Sequence, residues 1–186
     1  MPILAREPDQ YPLDLLQQSD LGQESDRQWL VVHTKPRQEK TLARQLTQRQ
    51  ISHFLPQVRN KLKTSDGRVR LSYSPLFPGY VFVYGCEEDR GRVLSTRSAA
   101  HVLEVPNGPQ LTLDWRHIER LTHSDHPFAT EEHMKPGTLV RITTGPFSGF
   151  EGQILQRRSG RLLLIAVHYL QRGISVELGD CEIEKL

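Results

Sequence analysis

The chain of 186 residues has no apolar run long enough to cross a membrane, which excludes a transmembrane helix. Its start lacks the basic residues and apolar stretch that mark a secretory signal, so we expect a cytoplasmic protein. Only two cysteines are present, Cys86 and Cys181, and their separation fits no metal-ligand motif. Reduced thiols are the expected state in that compartment.

Patterns typical of catalysis are also missing. There is no recognisable Ser-His-Asp arrangement, carboxylate pair or nucleophile elbow. Four of the eight histidines cluster loosely, but they lack zinc-ligand spacing and a complement of Cys or acidic residues: His117, His123, His126 and His133. The sequence therefore predicts a protein that is not an enzyme and that holds no metal or cofactor.

Charge is unevenly distributed along the chain, although the net charge is only +2. Residues 1–26 carry one basic residue against six acidic ones, and residues 27–73 carry eleven Lys or Arg against two acidic residues. The basic surplus favours an anionic partner such as nucleic acid. A solvated basic face explains the same surplus.

The hydrophobic fraction of 37% suits two small cores better than one large core. Residues 1–26 are acidic and rich in Gln and Pro, which predicts a flexible tail, with a short docking helix at 13–16 as the alternative. Residues 27–122 alternate between strand and helix patterns. Residues 123–135 lack periodicity and are predicted to be a linker, and residues 136–186 hold five short strand patterns.

The region 27–122 predicts an α+β fold, an antiparallel sheet with helices in a split βαβ-like order. Trp29–Thr34 is a strand pattern, and Arg37–Gln50 is a helix pattern with apolar and basic faces. Two basic strands around Ser65-Asp66-Gly67 predict a hairpin, and Asp114 is the expected cap of a final short helix. The five strands of 136–186 predict a small all-β barrel.

The segment Leu76–Val83 is apolar on both faces if it forms a strand. Tyr80 and Phe82 share one face, and Val81 and Val83 share the other. Such a strand is either buried on both faces or presents one face to a partner. Both interpretations of Tyr80 and Phe82 stay open on the residues alone.

The segment Gly145–Gly152 is rich in glycine but lacks the Gly-Lys-Ser/Thr ending of a phosphate-binding loop. Its glycines are better explained as positive-φ positions in a turn between barrel strands. Phe147 on such a turn is a candidate for exposure and protein contact. The alternative is that Phe147 plugs the barrel.

In this order, Trp29–Thr34, the basic helix, Leu76–Val83, Thr96-Arg97 and the Gly145 turn resemble the NusG family of transcription elongation factors. The resemblance covers about 28–186 and implies a polymerase-binding domain followed by a five-stranded KOW barrel. Ser74-Pro75-Leu76-Phe77 is similar to specialised paralogues of the RfaH type, which act as antiterminators. The β-branched and glycine-rich content of 138–184 favours the barrel, so no fold switch is expected.

The resemblance also implies partners and contact residues, with the protein itself a monomer. The clamp helices of the RNA polymerase β′ subunit are expected to bind Leu76, Phe77, Tyr80 and Phe82. The exposed non-template DNA strand is expected to contact a basic set: Lys35, Arg37, Lys40, Arg44 and Arg97. Rho or a small-subunit ribosomal protein is expected to bind the barrel through Phe147, Phe150 and Ile154. The alternative is an RNA-binding KOW protein of the ribosomal type.

Overall fold

The computed structural model describes residues 6–21, 26–63, 69–124, 126, 128–132, 138–157, 160–167, 172–178 and 181–186. The chain divides into two compact units, residues 1–112 and 113–186. The parts of the predicted tail at 1–5 and 22–25, of the hairpin turn at 64–68 and of the predicted linker at 125, 127 and 133–135 lie outside the described residues.

The elements of the first unit follow the predicted order of strands and helices. The helices are α1 (Glu39–Gln48), α2 (Glu87–Leu94) and the beginning of α3 (Gly108–His123), and a 3-10 helix spans Leu15–Gln17. The strands are β1 (Gln10–Tyr11), β2 (Gln28–Thr34), β3 (Ser52–Phe54), β4 (Gln57–Lys63), β5 (Val69–Pro75), β6 (Tyr80–Gly85) and β7 (Ala99–Glu104).

Five of these strands form one antiparallel sheet in the order β1-β3-β6-β2-β7, and β4 pairs with β5 as a separate hairpin. The strands β2 and β6 lie at the centre, and α1 and α2 each connect two strands of the sheet. This is the expected split βαβ arrangement of an α+β unit.

One face of the sheet is covered by α1 and α2. Leu42 and Leu46, one helical turn apart on α1, are fully buried with Leu30 and Val32 of β2 and with Val81 of β6. The apolar face of α1 that the sequence pattern predicts therefore does pack on the sheet.

The other face of the sheet is also buried over much of its area. Trp29 and Phe82 have no exposed surface, and Tyr84 is 1% exposed. The Trp29 indole Nε1 donates a hydrogen bond to the Thr112 hydroxyl at 2.9 Å, which joins β2 to α3. Burial on both faces explains the unbroken apolar runs 29–32 of β2 and 80–84 of β6.

The expectation of a flexible tail is wrong for residues 6–21, which we call the strap. In the strap, β1 pairs with the edge strand β3, and the Leu55 amide donates to the Asp9 carbonyl at 2.6 Å. Leu15, Leu16 and Leu21 are 1%, 1% and 3% exposed. These three leucines bury enough apolar surface to order a segment whose composition is otherwise typical of disorder.

Helix α3 begins six residues before the predicted cap, Asp114. The Asn107 side chain accepts a hydrogen bond from the Gln110 amide at 3.0 Å, and so caps the helix. Pro109 lies in the first turn, where its missing N–H costs nothing. Asp114 is a buried residue within the helix.

The second unit holds a six-stranded antiparallel sheet in the order β13-β9-β10-β11-β12-β8. Its strands are β8 (Phe128–Glu132), β9 (Thr138–Ile142), β10 (Glu151–Arg157), β11 (Gly160–Val167), β12 (Arg172–Glu177) and β13 (Ile183–Lys185). The last five match the five predicted strands, and closure into a barrel stays a prediction.

Strand β8 lies within 123–135, the predicted linker. Its backbone pairs with β12 from Phe128 opposite Val176 to Glu132 opposite Arg172. Backbone hydrogen bonds to β12 order β8, although the sequence of 123–135 has no strand periodicity. The prediction of 123–135 as an unstructured linker is therefore wrong at β8.

Burial of the strap predicts a stability difference between two neighbouring leucines. Leu15→Ala should lower the free energy of unfolding of the first unit by about 2–5 kcal/mol, because Leu15 is fully buried. Leu13→Ala is the matched control, since Leu13 is 73% exposed and its loss should change stability by less than about 0.5 kcal/mol. Urea unfolding of the full chain measures both, and equal effects would contradict the docked strap.

Candidate functional site

The four residues expected to bind polymerase do not form one accessible surface. Phe82 has no exposed surface, and Leu76 and Phe77 are each 3% exposed. The Phe77 ring packs edge-on against the Phe82 ring, with their centroids 6.1 Å apart. The core interpretation is therefore correct for Phe82, whereas Tyr80 is only half-buried and keeps part of its ring accessible.

Tyr80 is the end of a row of side chains that crosses three strands on one face of the sheet. His33 of β2 pairs with Tyr80 of β6 and with His101 of β7. The His33 ring centroid lies 5.3 Å from that of Tyr80 and 6.3 Å from that of His101. Leu103, two residues along β7 on the same face, is 43% exposed. We call Tyr80, His33, His101 and Leu103 the platform.

No sequence pattern singles out His33, His101 or Leu103 as candidate contact residues. His33 continues the alternation of Trp29 and Val31 along β2, which places it on the same face. Its neighbours across the sheet depend on strand order and register, which a strand pattern alone does not give.

Backbone hydrogen bonds bring three loops together at the end of the sheet beside the platform. The Thr34 amide donates to the Gly79 carbonyl at 2.8 Å, and the Lys35 amide donates to the Ser98 carbonyl at 2.9 Å. The Gly79 amide donates to Glu39 Oε1 at 2.7 Å. Gly79 has a φ of +86°, a conformation that glycine adopts without strain.

Three of the five predicted nucleic-acid-binding cations lie on these loops. Lys35, Arg37 and Arg97 are all exposed. Arg37 and Arg97 have φ values of +61° and +60°, a backbone region that costs an L-residue about 1 kcal/mol. Glycine would be unstrained at both positions. The presence of arginine there favours a role for these side chains in binding rather than in stabilising the fold.

The other two cations, Lys40 and Arg44 on α1, make contacts within the first unit. Lys40 Nζ donates to the Tyr73 carbonyl at 2.7 Å. Arg44 donates to both carboxylate oxygens of Glu7, at 2.6 and 3.1 Å. Hydrogen bonding to Glu7 and its negative charge raise the pKa of Arg44 above its usual value. Arg44 is thus engaged by Glu7 in this structure. Glu7 is a candidate that the sequence does not reveal, because the composition of its segment predicts a flexible tail.

In the second unit, the glycine-rich segment forms the turn between β9 and β10. Gly145 and Gly149 have φ values of +85° and +83°, which confirms the predicted positive-φ positions. A Cβ on Gly145 would lie 2.8 Å from the Cys181 sulfur, so space also requires glycine there. The Gly149 amide donates to the Ile142 carbonyl at 2.8 Å and closes the turn.

Phe150 of this turn packs against the C-terminal half of α3, and Phe147 packs on Phe150 and on the His126 ring. The His117 ring stacks on Phe150 at 4.6 Å, and the Arg120 guanidinium lies 4.4 Å from the centroid of the same ring. Phe147 contacts Phe150 edge-on and is 4% exposed, while Phe150 is 2% exposed. The expected exposure of Phe147 is therefore wrong, because its ring packs on Phe150 and on the His126 ring, whose centroid is 4.9 Å away.

A groove of about 440 Å³ runs beside this packing. It is lined by basic and apolar side chains of the second unit: Arg120, Leu121, His123, His126, Pro146 and Phe147. Ile154, the third residue expected to bind a protein partner, is half-buried in the middle of β10.

The surroundings of His117 disfavour its protonation. Burial lowers the pKa of His117, and the positive charge of Arg120 lowers it further, while Glu151 and a hydrogen bond with the Gly149 backbone oppose the shift. Its Nδ1 atom is buried, with no partner found among the described residues. A second N–H on this ring would thus be buried without an acceptor.

In the described part of the chain, no group of three or more His, Cys, Asp or Glu side chains is arranged to hold a metal ion. Cys86 and Cys181 are free thiols. None of the helices in the described ranges combines the length and apolarity that a membrane crossing requires.

Comparison with known proteins decides the family. Residues 27–121, slightly more than half of the chain, match the family described as "Transcription termination factor nusG". The chain belongs to the NusG family. The match covers β2 to β7 and most of α3, so both the platform and the basic loops lie inside it, and the strap lies outside it.

Two relatives within the NusG family carry the name "Transcription termination/antitermination protein NusG". The protein from Pasteurella multocida is 32% identical over 129 residues, which cover 64% of this chain and 69% of the relative. The protein from Pseudomonas aeruginosa is 25% identical over 176 residues, which cover 86% and 99%. A solved structure described as "Domain interaction in Thermotoga maritima NusG" aligns with this chain at 22% sequence identity and a TM-score of 0.45. The alignment covers 86% of this chain and 97% of the Thermotoga maritima chain.

The environment of His117 predicts a pH dependence in this member of the NusG family. Its imidazole should titrate below its ordinary value of about 6.5 in the folded chain and near about 6.5 in urea. Because the folded-state pKa is depressed, the stability that His117 contributes is complete above about pH 6.5 and is lost as the pH falls toward the folded-state pKa. NMR titration of the imidazole in both states measures this, and equal midpoints would contradict it.

Proposed function

We propose that this NusG-family protein is a transcription elongation and antitermination factor. Its first unit binds RNA polymerase and the non-template DNA strand, and its second unit binds another protein. The observation that carries the proposal is the platform, a partly exposed aromatic row beside three exposed cations, inside the part of the chain that matches the family. Ser74-Pro75-Leu76-Phe77 favours a specialised paralogue of the RfaH type.

The platform supports the polymerase contact. Tyr80 is an aromatic side chain with an accessible edge, fixed on a central strand by pairing with β2 and by the ring of His33. A rigid aromatic loses little rotamer freedom on binding, so it can anchor an interface efficiently. Leu76, Phe77 and Phe82 are buried, so they would stabilise the unit without reaching the partner.

The loop cations support the nucleic-acid contact. Backbone hydrogen bonds hold together the loops that carry three exposed cations: Lys35, Arg37 and Arg97. Neighbouring cations of this kind can contact successive phosphates of a single strand. Their position beside the platform would let one protein contact polymerase and an exposed single strand at the same time. Lys40 and Arg44 would join this path only if their present contacts opened.

The turn of the second unit supports a contact with a further protein, which by resemblance is Rho or a small-subunit ribosomal protein. Phe147 and Phe150 supply aromatic surface, and Ile154 adds a half-buried apolar side chain on β10. Since His117 covers Phe150 and His126 packs on Phe147, use of these rings by a partner would require both ring contacts to open. An RNA-binding protein of the ribosomal type is disfavoured, because the family match covers mainly the first unit.

Substitution at Tyr80 and Phe82 should separate binding from stability. Tyr80→Ala should weaken polymerase binding by about 2 kcal/mol and leave the chain folded, because the ring is half-exposed. Phe82→Ala should instead lower the free energy of unfolding by about 3–5 kcal/mol, because the ring is fully buried. Binding to purified core polymerase and urea unfolding measure the two effects.

Leu94→Ala is the control for the binding measurement. Leu94 is 47% exposed on α2, on the helix-covered side of the sheet, so its loss should leave polymerase binding unchanged. Wild-type affinity of the Tyr80→Ala protein, with the Phe82→Ala protein destabilised as expected, would show that the platform is not the polymerase contact.

A further inference from the structure

The strap is fixed to the first unit at several points besides its leucines. The Gln57 amide group donates to the Glu7 carbonyl at 3.0 Å and to Asp9 Oδ1 at 2.9 Å. The Gln10 side chain donates to the Leu13 carbonyl at 2.8 Å and accepts from the Leu16 amide at 3.1 Å. The backbone of the strap is therefore held in place without any contribution from the Glu7 carboxylate.

The Glu7 carboxylate is held against the basic face of α1. It accepts from Arg44 Nε and Nη2 in a two-point contact, and Lys40 lies one helical turn before Arg44. Two-point binding by a guanidinium is the geometry in which arginine also binds a phosphate group. Arg6, next to Glu7, adds a further cation over the Tyr73 ring.

We propose that Glu7 occupies a phosphate-binding position on Arg44, so that the docked strap keeps α1 out of the nucleic-acid interface. This inference rests on the proposed function, because it assumes that the first unit meets single-stranded DNA. While Glu7 is in place, the interface is limited to the loop cations Lys35, Arg37 and Arg97. A phosphate that displaces Glu7 extends the interface along α1 by at least one contact.

Exposure of the ion pair makes this exchange possible. The side chains of Arg44 and Glu7 are 51% and 26% exposed, so a DNA phosphate can reach the guanidinium from solvent. An exposed ion pair contributes little to stability, and salt screens it. The strap raises the local concentration of one carboxylate, however, because its backbone is anchored beside Arg44. Glu7 thus competes with phosphate without requiring a strong bond.

The test measures binding of a labelled single-stranded DNA oligonucleotide to the full chain over a range of salt concentrations. Glu7→Gln should tighten binding several-fold and steepen the slope of log affinity against log salt by about 0.7, the value for one more single-strand phosphate contact. Arg44→Gln should have no effect in the wild-type chain but should return the Glu7→Gln protein to wild-type binding. Unchanged affinity and slope for Glu7→Gln would overturn the proposal.

Asp14→Asn is the matched control, because it removes the same charge from an exposed position of the same strap. Equal gains from Asp14→Asn and Glu7→Gln would show a general charge effect and would also overturn the proposal. If Arg44→Gln weakened DNA binding of the wild-type chain, Arg44 would already contact DNA while Glu7 is in place. That result would also overturn the proposal.

A further variant separates this inference from the proposed function. The combined change Lys35→Gln, Arg37→Gln and Arg97→Gln should lower the salt slope by about 2, at 0.7 for each phosphate contact. If this protein binds as the wild type does while Glu7→Gln still tightens binding, the loop interface fails and the strap inference holds. If it weakens binding while Glu7→Gln has no effect, the strap inference alone fails. Absence of DNA binding in every protein would contradict both.

Discussion

The antiparallel pairing of β2 with β6 is the constraint on which the first unit depends. It places Leu30 opposite Val83 and His33 opposite Tyr80, so one pair of strands supplies both the centre of the core and the beginning of the platform. The same register brings Thr34 to Gly79 at the strand ends, and the basic loops follow from that junction. The candidate interface is therefore an extension of the most buried part of the sheet, which gives its side chains a rigid support.

Burial on both faces of β6 also decides which aromatic residues can meet a partner. Phe82 is in the middle of the strand, where the Phe77 ring packs edge-on against it and leaves it no exposed surface. Tyr80 is at the strand end and is only half-buried. Alternation along the strand puts both rings on one face but does not show where that cover ends. The sequence consequently identifies the strand and the face that carry both rings, and only the packing separates the buried ring from the accessible one.

Local signals were sufficient for most elements and failed where distant residues decide the outcome. The pattern of Trp29–Thr34 and the amphipathic α1 could be predicted because each depends on its own periodicity. The strap could not, since its order depends on an edge strand some forty residues away and on three leucines among polar neighbours. Burial of Phe147 depends in the same way on His126, and the ion pair of Arg44 depends on Glu7.

We propose that the platform on the five-stranded sheet faces polymerase and that the adjacent loops, which carry Lys35, Arg37 and Arg97, face the non-template strand. Site-specific photo-crosslinking in a transcription elongation complex tests it most directly, with a photoreactive amino acid at position 80, at position 37 or, as a control, at the exposed position 13 of the strap. We expect the probe replacing Tyr80 to crosslink to a polymerase subunit, the probe replacing Arg37 to crosslink to non-template DNA, and the probe replacing Leu13 to crosslink to neither. Crosslinks from position 13 alone, or none from positions 80 and 37 in a bound complex, would contradict it.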